Sequence, residues 1–287
     1  MSEVAYILGH SELEMQRLVL QAQIILSSRS LSVSYGKPAS DRVCGVLDLG
    51  CGAGDAAMLA AEFVGPNGVV VGIDRNADAL AAARERARTD GYGNIHFHHG
   101  AVEDFRDPAP FDLAVGRLIL IHQADPSAFV RSAASYVRPG GAVAFQEQSP
   151  LPEGAVAVAS KEPSLSRLDQ VLPTVALHQQ CFDWVGTALT SAGARFDASD
   201  HIGWHFRAAG LKPNFFWEIP VGDDSETPIL TWVASTVRSV LPQLEACGAA
   251  SAAQIDIETL EGRLREAVGA ANVKVFGFPQ MRCWARL

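Results

Sequence analysis

The sequence predicts an α/β protein, doubly wound about a mostly parallel sheet. Three observations carry this reading. Short apolar stretches alternate with helical patterns from Arg42 to Gln146, a spacing that specifies parallel strands with helices on both faces. A glycine-rich turn, "VLDLGCGAGD" from Val46 to Asp55, follows the first strand. The second strand, "VVVGID", ends on a carboxylate, Asp74.

Ahead of the sheet, Met15, Leu18, Val19, Ala22, Ile25 and Leu26 recur at spacings of three and four, which predicts an amphipathic helix. Arg42 to Leu49 reads as a buried strand and Ala56 to Val64 as the helix leaving the glycine turn. Pro66-Asn67-Gly68 turns the chain into the strand Val69 to Ile73, and an alanine-rich helix spans Ala77 to Thr89. The third, fourth and fifth strands are Asn94 to His99, Phe111 to Val115 and Ala142 to Gln146. A helix from Ser127 to Val137 ends before Pro139-Gly140-Gly141. After Ser149 the alternation stops: Leu151 to Ala192 reads as a proline-bearing connection and one long helix. A helix ending within Phe206 to Leu211, an aromatic strand Phe215 to Pro220, helices Pro228 to Ala246 and Ile257 to Val268, and a last strand Gln280 to Arg286 complete the chain.

Composition narrows the function classes. The 287 residues are 48% hydrophobic, ample for a soluble core, and carry a net charge of −9 without any long basic run. No nucleic-acid partner is expected. The five cysteines are an odd set without a CxxC pair, which argues against a disulfide framework or zinc cluster and for a reducing, cytoplasmic setting. No stretch reaches the roughly 18 apolar residues of a membrane span, so no membrane association is expected.

The glycine turn points to a ligand. Gly50, Gly52 and Gly54 remove side chains where strand passes into helix, so that a ligand can approach the backbone. A dinucleotide fingerprint needs a small residue three positions after Gly52, yet Asp55 stands there, and no lysine marks a phosphate cradle. The acidic Asp48 suits a cationic group such as an ammonium or sulfonium. Asp74 can accept from both hydroxyls of a ribose, and in "GAVEDF" Val102 and Glu103 offer an apolar contact and an acceptor to a base. Cation, ribose and base together describe S-adenosylmethionine.

In their order, "VLDLGCGAGD", "GID", "GAVEDF", "FDLAVGRLIL" and "VRPGG" resemble the motifs of the class I S-adenosyl-L-methionine-dependent methyltransferases, small-molecule members among them. The resemblance covers about Val43 to Gln148 and implies a Rossmann-like seven-stranded sheet. It further implies that Gly50, Gly52 and their loop, Cys51 included, line the methionine end of the cofactor, that Asp74 binds the ribose, that Val102 and Glu103 frame adenine, and that Asp48 and Arg75 are among the cofactor-binding residues. Arg117, at the end of strand four, would face the methionine or methyl end. The lead-in "YILGHSELEMQRLVLQAQ" is similar to a helix that reaches the cofactor, through Tyr6, Arg17 and Gln21 here. The expected organisation is an N-terminal helical lid (1–40), a cofactor-binding core (41–150), a connection and helical insertion (151–200), and a final segment (201–287) with a two-helix cap at about 225–270.

Methyl transfer is an in-line displacement whose main demand is alignment. An oxygen or nitrogen acceptor draws attention to His122 as a base near neutrality, a carbon acceptor to Glu147 as a carboxylate that stabilises a cation. Cys51 lacks an activating partner in the pattern, and His96 and His98 share a strand face without a third ligand, so neither a thiol nucleophile nor a metal site is expected. The leading expectation is a methyltransferase acting on a small apolar or aromatic specialised metabolite, with a homodimer as one arrangement. A nicotinamide-dependent oxidoreductase, or a non-catalytic cofactor-binding or dimerisation module, stands as the alternative.

Overall fold

The computed structural model describes residues 17, 20, 21, 45–107, 109–148, 175–194 and 196–287. Among these, two compact units divide the chain. The sheet unit takes the described residues of 45–147, 197–217 and 281–287; the helical unit takes 17, 20 and 21 and those of 148–196 and 218–280. Among the described residues no helix is long and apolar enough to cross a membrane.

In the sheet unit, β1 (Gly45–Leu49), β2 (Val69–Asp74), β3 (Ile95–His99), β4 (Phe111–Arg117) and β5 (Val137–Gln148) alternate with α1 (Asp55–Val64), α2 (Ala77–Thr89) and α3 (Pro126–Ser135). With β6 (Asn214–Glu218) and β9 (Gln280–Arg286) they form one seven-stranded sheet in the order β3-β2-β1-β4-β5-β9-β6. The pairings β1 with β2, β1 with β4, β2 with β3 and β4 with β5 all run parallel. Strand order therefore reverses between β1 and β4, the place where sheets of this kind leave a crevice beyond their carboxyl ends.

Both faces of the central strands β1, β2, β4 and β5 are covered, which is why these strands read as apolar runs, while the edge strands β3 and β6 are largely exposed. Leu47, Leu49, Val71, Ile73, Val143 and Phe145 face one side and pack with Phe129 and Val130 of α3 and Phe206 of α6 (Ile202–Ala208), which follows the short α5 (Phe196–Asp200). Val46, Val70, Leu113, Val115 and Ala144 face the other and pack with Ala57, Ala60 and Ala61 of α1. The helix expected over Ser127 to Val137 starts at Pro126 and stops at Ser135, because Asp125 caps it from in front and Val137 is taken into β5; the Tyr136 hydroxyl at its end donates to the Val102 carbonyl at 2.6 Å. Val137 then pairs with Phe111 ahead of a register shift, so β5 begins earlier than the glycine pair suggests.

The helical unit contains α4 (Ala176–Ser191), α7 (Pro228–Ala246), the short α8 (Ala252–Ile255), α9 (Leu260–Ala271) and an antiparallel pair, β7 (Val221–Gly222) with β8 (Val275–Phe276). The helix expected over Ile257 to Val268 begins at Leu260, since Asp256 takes a left-handed conformation (φ +53°) that ends α8 and Ile257 is buried in the turn between the two. Trp232 of α7 is fully buried; its ring meets Phe278 edge-on at 5.1 Å, and Phe278 stacks on Phe182 at 4.5 Å. Of the other aromatic residues, Trp204, Phe215 and Phe216 in the sheet unit are exposed. Replacing a buried tryptophan removes both its transfer energy and its packing, so Trp232→Ala is expected to lower stability by about 3–5 kcal/mol in urea unfolding. A loss under about 1 kcal/mol would mean that this cluster is not a core.

Candidate active site

The glycine turn sits at the carboxyl end of β1, beside the reversal of strand order. The N–H groups of Gly50 and Cys51 both donate to the Ile73 carbonyl, at 2.8 and 3.0 Å, which lashes the turn to β2. Gly50 has φ +70°, and a Cβ on it would stand 2.6 Å from Cδ1 of Ile119, so only glycine lets that side chain close over the turn. The Cys51 thiol is buried against Gly72, and burial, with the nearby charges of Asp48 and Asp74, holds it well above the ordinary thiol range. It is a packing group.

A network of charges lies under the turn. Asp55, the first residue of α1, accepts from Nη2 of Arg86 at 2.8 Å and from Nη2 of Arg117 at 3.3 Å. Arg86 also donates to the Ala53 carbonyl at 2.8 Å, so one guanidinium holds both ends of the turn's exit. Asp48 is 1% exposed and receives a backbone N–H from Ala57. Burial pushes its carboxyl up to about 7 despite the opposing charge of Arg117, with Asp74 and Asp55 adding to the rise. Two atoms in this network have no hydrogen-bond partner among the described residues: Oδ2 of Asp48 and Nη1 of Arg117, both buried.

At the end of β2, Asp74 accepts from the N–H of Gly52 through Oδ2 and from the N–H of Asn76 through Oδ1, each at 2.8 Å. Each oxygen keeps a lone pair. Arg75 and Glu103 meet each other at 3.2 Å on the exposed rim beyond β2 and β3, and the Val102 side chain belongs to the core cluster beneath.

Two residues differ from expectation. His122 closes a single turn of 3-10 helix, Leu120–His122, after β4, where burial lowers its imidazole to about 4. It stays neutral at working pH, but a ring so reluctant to take a proton is a weak base, and the near-neutral pKa that recommended it is gone. Glu147 is fully buried, and burial lifts its carboxyl to about 8. At neutral pH it is an uncharged acid, not the anion that a cation would need. Its Oε1 is taken up by the N–H groups of Ile119 and Leu120, at 3.0 and 2.8 Å.

Arg17 and Gln21 are buried in the helical unit, where Arg17 donates to Oε1 of Gln21 at 2.6 Å and the Trp232 indole donates to the same oxygen at 3.2 Å. Tyr6 lies outside the described residues. Sequence reasoning missed Ile119, Arg86 and the role of Asp55 as an ion-pair hub. Only the positive charge of Arg86 and its helical position were visible, and nothing in the chain marks a pairing 31 residues apart.

Because Asp48 holds its proton up to about 7 in the folded chain and to about 3.8 when unfolded, the native state binds more protons between those values. Stability therefore falls as pH rises through that window, by roughly 4 kcal/mol at most for a shift of this size. Asp48→Asn keeps an acceptor for the Ala57 N–H and removes the buried charge. It is expected to stabilise the protein by about 1–3 kcal/mol at pH 8 and by much less at pH 5, in urea unfolding. An equal effect at both pH values would mean that the carboxyl is not desolvated.

The description "Methyltransferase domain" belongs to the family model that matches residues 40–207, more than half of the chain. The chain is similar to an arsenite methyltransferase of Aquipseudomonas alcaligenes, 31% identical over 138 residues that cover 45% of this chain and 40% of that protein. It is also similar to a ubiquinone biosynthesis O-methyltransferase of Sodalis glossinidius, 36% identical over 102 residues that cover 35% and 39%. The matched part thus spans about two fifths of the length of these curated relatives. Among solved structures, the YcgJ protein of Bacillus subtilis superposes with a TM-score of 0.54 at 16% identity over 91% of this chain and 98% of that one. A putative methyltransferase of Bacillus halodurans gives 0.50 at 15% identity over 95% and 98%; at such identities these likenesses speak for the fold alone. With its motifs in order on this sheet and the family model spanning the greater part of it, the chain belongs to the methyltransferase-domain family, whose enzymes draw their methyl group from S-adenosyl-L-methionine.

Proposed function

We propose that the glycine-turn site holds S-adenosyl-L-methionine and that the protein passes the methyl group to an oxygen, nitrogen or carbon atom of a small, apolar or aromatic metabolite, chiefly by alignment. The observation that carries this reading is the pair of buried atoms without a partner among the described residues, Oδ2 of Asp48 and Nη1 of Arg117, at the carboxyl ends of neighbouring strands. An acceptor and a donor of opposite charge, both desolvated, are what the ammonium and carboxylate of an amino-acid end require. Asp48 and Arg117 would hold that end, the backbone of Gly50, Cys51 and Gly52 would line it, and Asp74 would take the ribose hydroxyls. Arg75, Val102 and Glu103 would border the base; Tyr6, Arg17 and Gln21 enter the proposal through the resemblance alone.

When bound, the cofactor supplies an electrophilic methyl on a sulfonium, a leaving group that needs no proton. The protein's own task is then orientation. Asp48 ionises to meet a cationic group, Arg117 stays fixed through Asp55, and Ile119 excludes water from above Gly50. At neutral pH Glu147 keeps its proton and His122 is only weakly basic, so neither is poised to remove a proton from an acceptor. Acceptors that need no strong base fit this arrangement best. A nicotinamide dinucleotide is disfavoured by Asp55, whose charge stands at the start of α1 where a pyrophosphate would have to sit. The odd cysteine set supports a cytoplasmic protein, and similarity to small-molecule enzymes supports a role in metabolite modification.

Calorimetric titration with S-adenosylmethionine, S-adenosylhomocysteine and NAD on wild type and Asp74→Ala tests this. Saturable binding of both sulfur compounds, weakened on the order of ten- to hundredfold by the substitution, with no heat from NAD, is the expected result. Absence of binding, or binding indifferent to Asp74, would overturn the assignment.

A further inference from the structure

The turn that follows β4 is held from below by one buried side chain. Past Arg117, Leu118 adopts a left-handed conformation, φ +52°, although it is not glycine, and its N–H donates to the Gln146 carbonyl at 2.8 Å. Such a backbone persists only where its surroundings over-determine it. Here Oε1 of Glu147 accepts from two successive N–H groups, those of Ile119 and Leu120, which a 3-10 turn leaves without internal partners. Ile119 is the residue so fixed, and its side chain reaches both a Cβ position on Gly50, at 2.6 Å, and one on Gly116, at 2.8 Å. The chain from Glu147 to the glycine turn is therefore one hydrogen-bonded turn and one side chain long.

We infer that Glu147 is a positioning residue: by accepting from the Ile119 and Leu120 amides it holds the turn after β4 in place and presses Ile119 over Gly50, which sets the fit of whatever binds at the glycine turn. The inference rests on the proposed function for the nature of that ligand, but its mechanical part does not. An acid serves here where an anion would not, because the site is dry and Glu147 Oε2 has no partner among the described residues. An amide oxygen in the same place would do the same work; an apolar side chain would leave two buried N–H groups unmet.

Glu147→Gln and Glu147→Leu, compared by hydrogen exchange and by S-adenosylhomocysteine titration, separate these roles. Wild type and Glu147→Gln are expected to protect the Ile119 and Leu120 amides equally and to bind within about threefold of each other. Glu147→Leu is expected to lose that protection by tenfold or more and to bind about tenfold more weakly, with kcat altered less than KM. In an Ile119→Ala background the Glu147→Leu substitution should add little further loss of affinity, since the residue it acts through is gone. Full amide protection in a folded Glu147→Leu protein would overturn the inference. So would a Glu147→Gln variant that binds normally but has lost turnover, which would make the carboxyl a chemical participant. Should the wild type bind no sulfur cofactor, the proposed function fails by itself, and the exchange measurement still decides the role of Glu147.

Discussion

A single carboxylate, Asp55, carries the geometry of the site. It stands at the first position of α1, and through Arg86 and Arg117 it ties that helix to α2 and to the end of β4. The glycine turn lies inside this triangle, so its glycines are free in conformation yet confined in position. A negative charge at a helix N-terminus is favourable in itself. Paired with two guanidinium groups under a dry turn it becomes a fixed reference, from which Arg117 is aimed and against which Asp48 is titrated. Remove the hub, and Arg117 loses the ion pair that fixes it.

The price of that arrangement is concentrated in Asp48. Its burial destabilises the folded chain as pH rises toward neutrality, and in the proposed site a cationic group would relieve that cost. The same dryness acts on His122 and Glu147 in opposite directions and with one outcome, since it leaves both uncharged near pH 7. In the proposed site, charge at the carboxyl ends of β1 and β4 holds the ligand, while the turn above is built from neutral parts. This division fits a reaction governed by alignment.

Much of this was legible in the sequence, for reasons that differ by element. The helix over Ala77–Thr89 and the helix over Pro228–Ala246 have the bounds that sequence reading assigns them, because Asn76 and Thr227 cap them locally and Pro228 opens the second. The strands were legible from their apolar runs, and the carboxylates Asp48 and Asp74 from their place beside glycine. Burial was not. Whether His122 is a base or Glu147 an anion depends on how much water reaches them, and no spacing along the chain records it. Asp55 was read as hostile to a pyrophosphate, yet its partners Arg86 and Arg117 lie 31 and 62 residues away, which only the folded sheet brings together. Ile119 looked like one more apolar residue in "RLILI"; its meaning comes from the left-handed Leu118 before it and from Gly50 across the turn.

The central claim, that Asp48 and Arg117 read an amino-acid end, is tested most directly by comparing two ligands as a function of pH. S-adenosylhomocysteine and 5′-methylthioadenosine share nucleoside and thioether, and only the first carries the ammonium and carboxylate. The homocysteine compound should bind at least about tenfold more tightly at pH 8, and its advantage should shrink as pH falls below about 7 and Asp48 takes up its proton. Equal affinities, or an advantage that does not change with pH, would contradict the account.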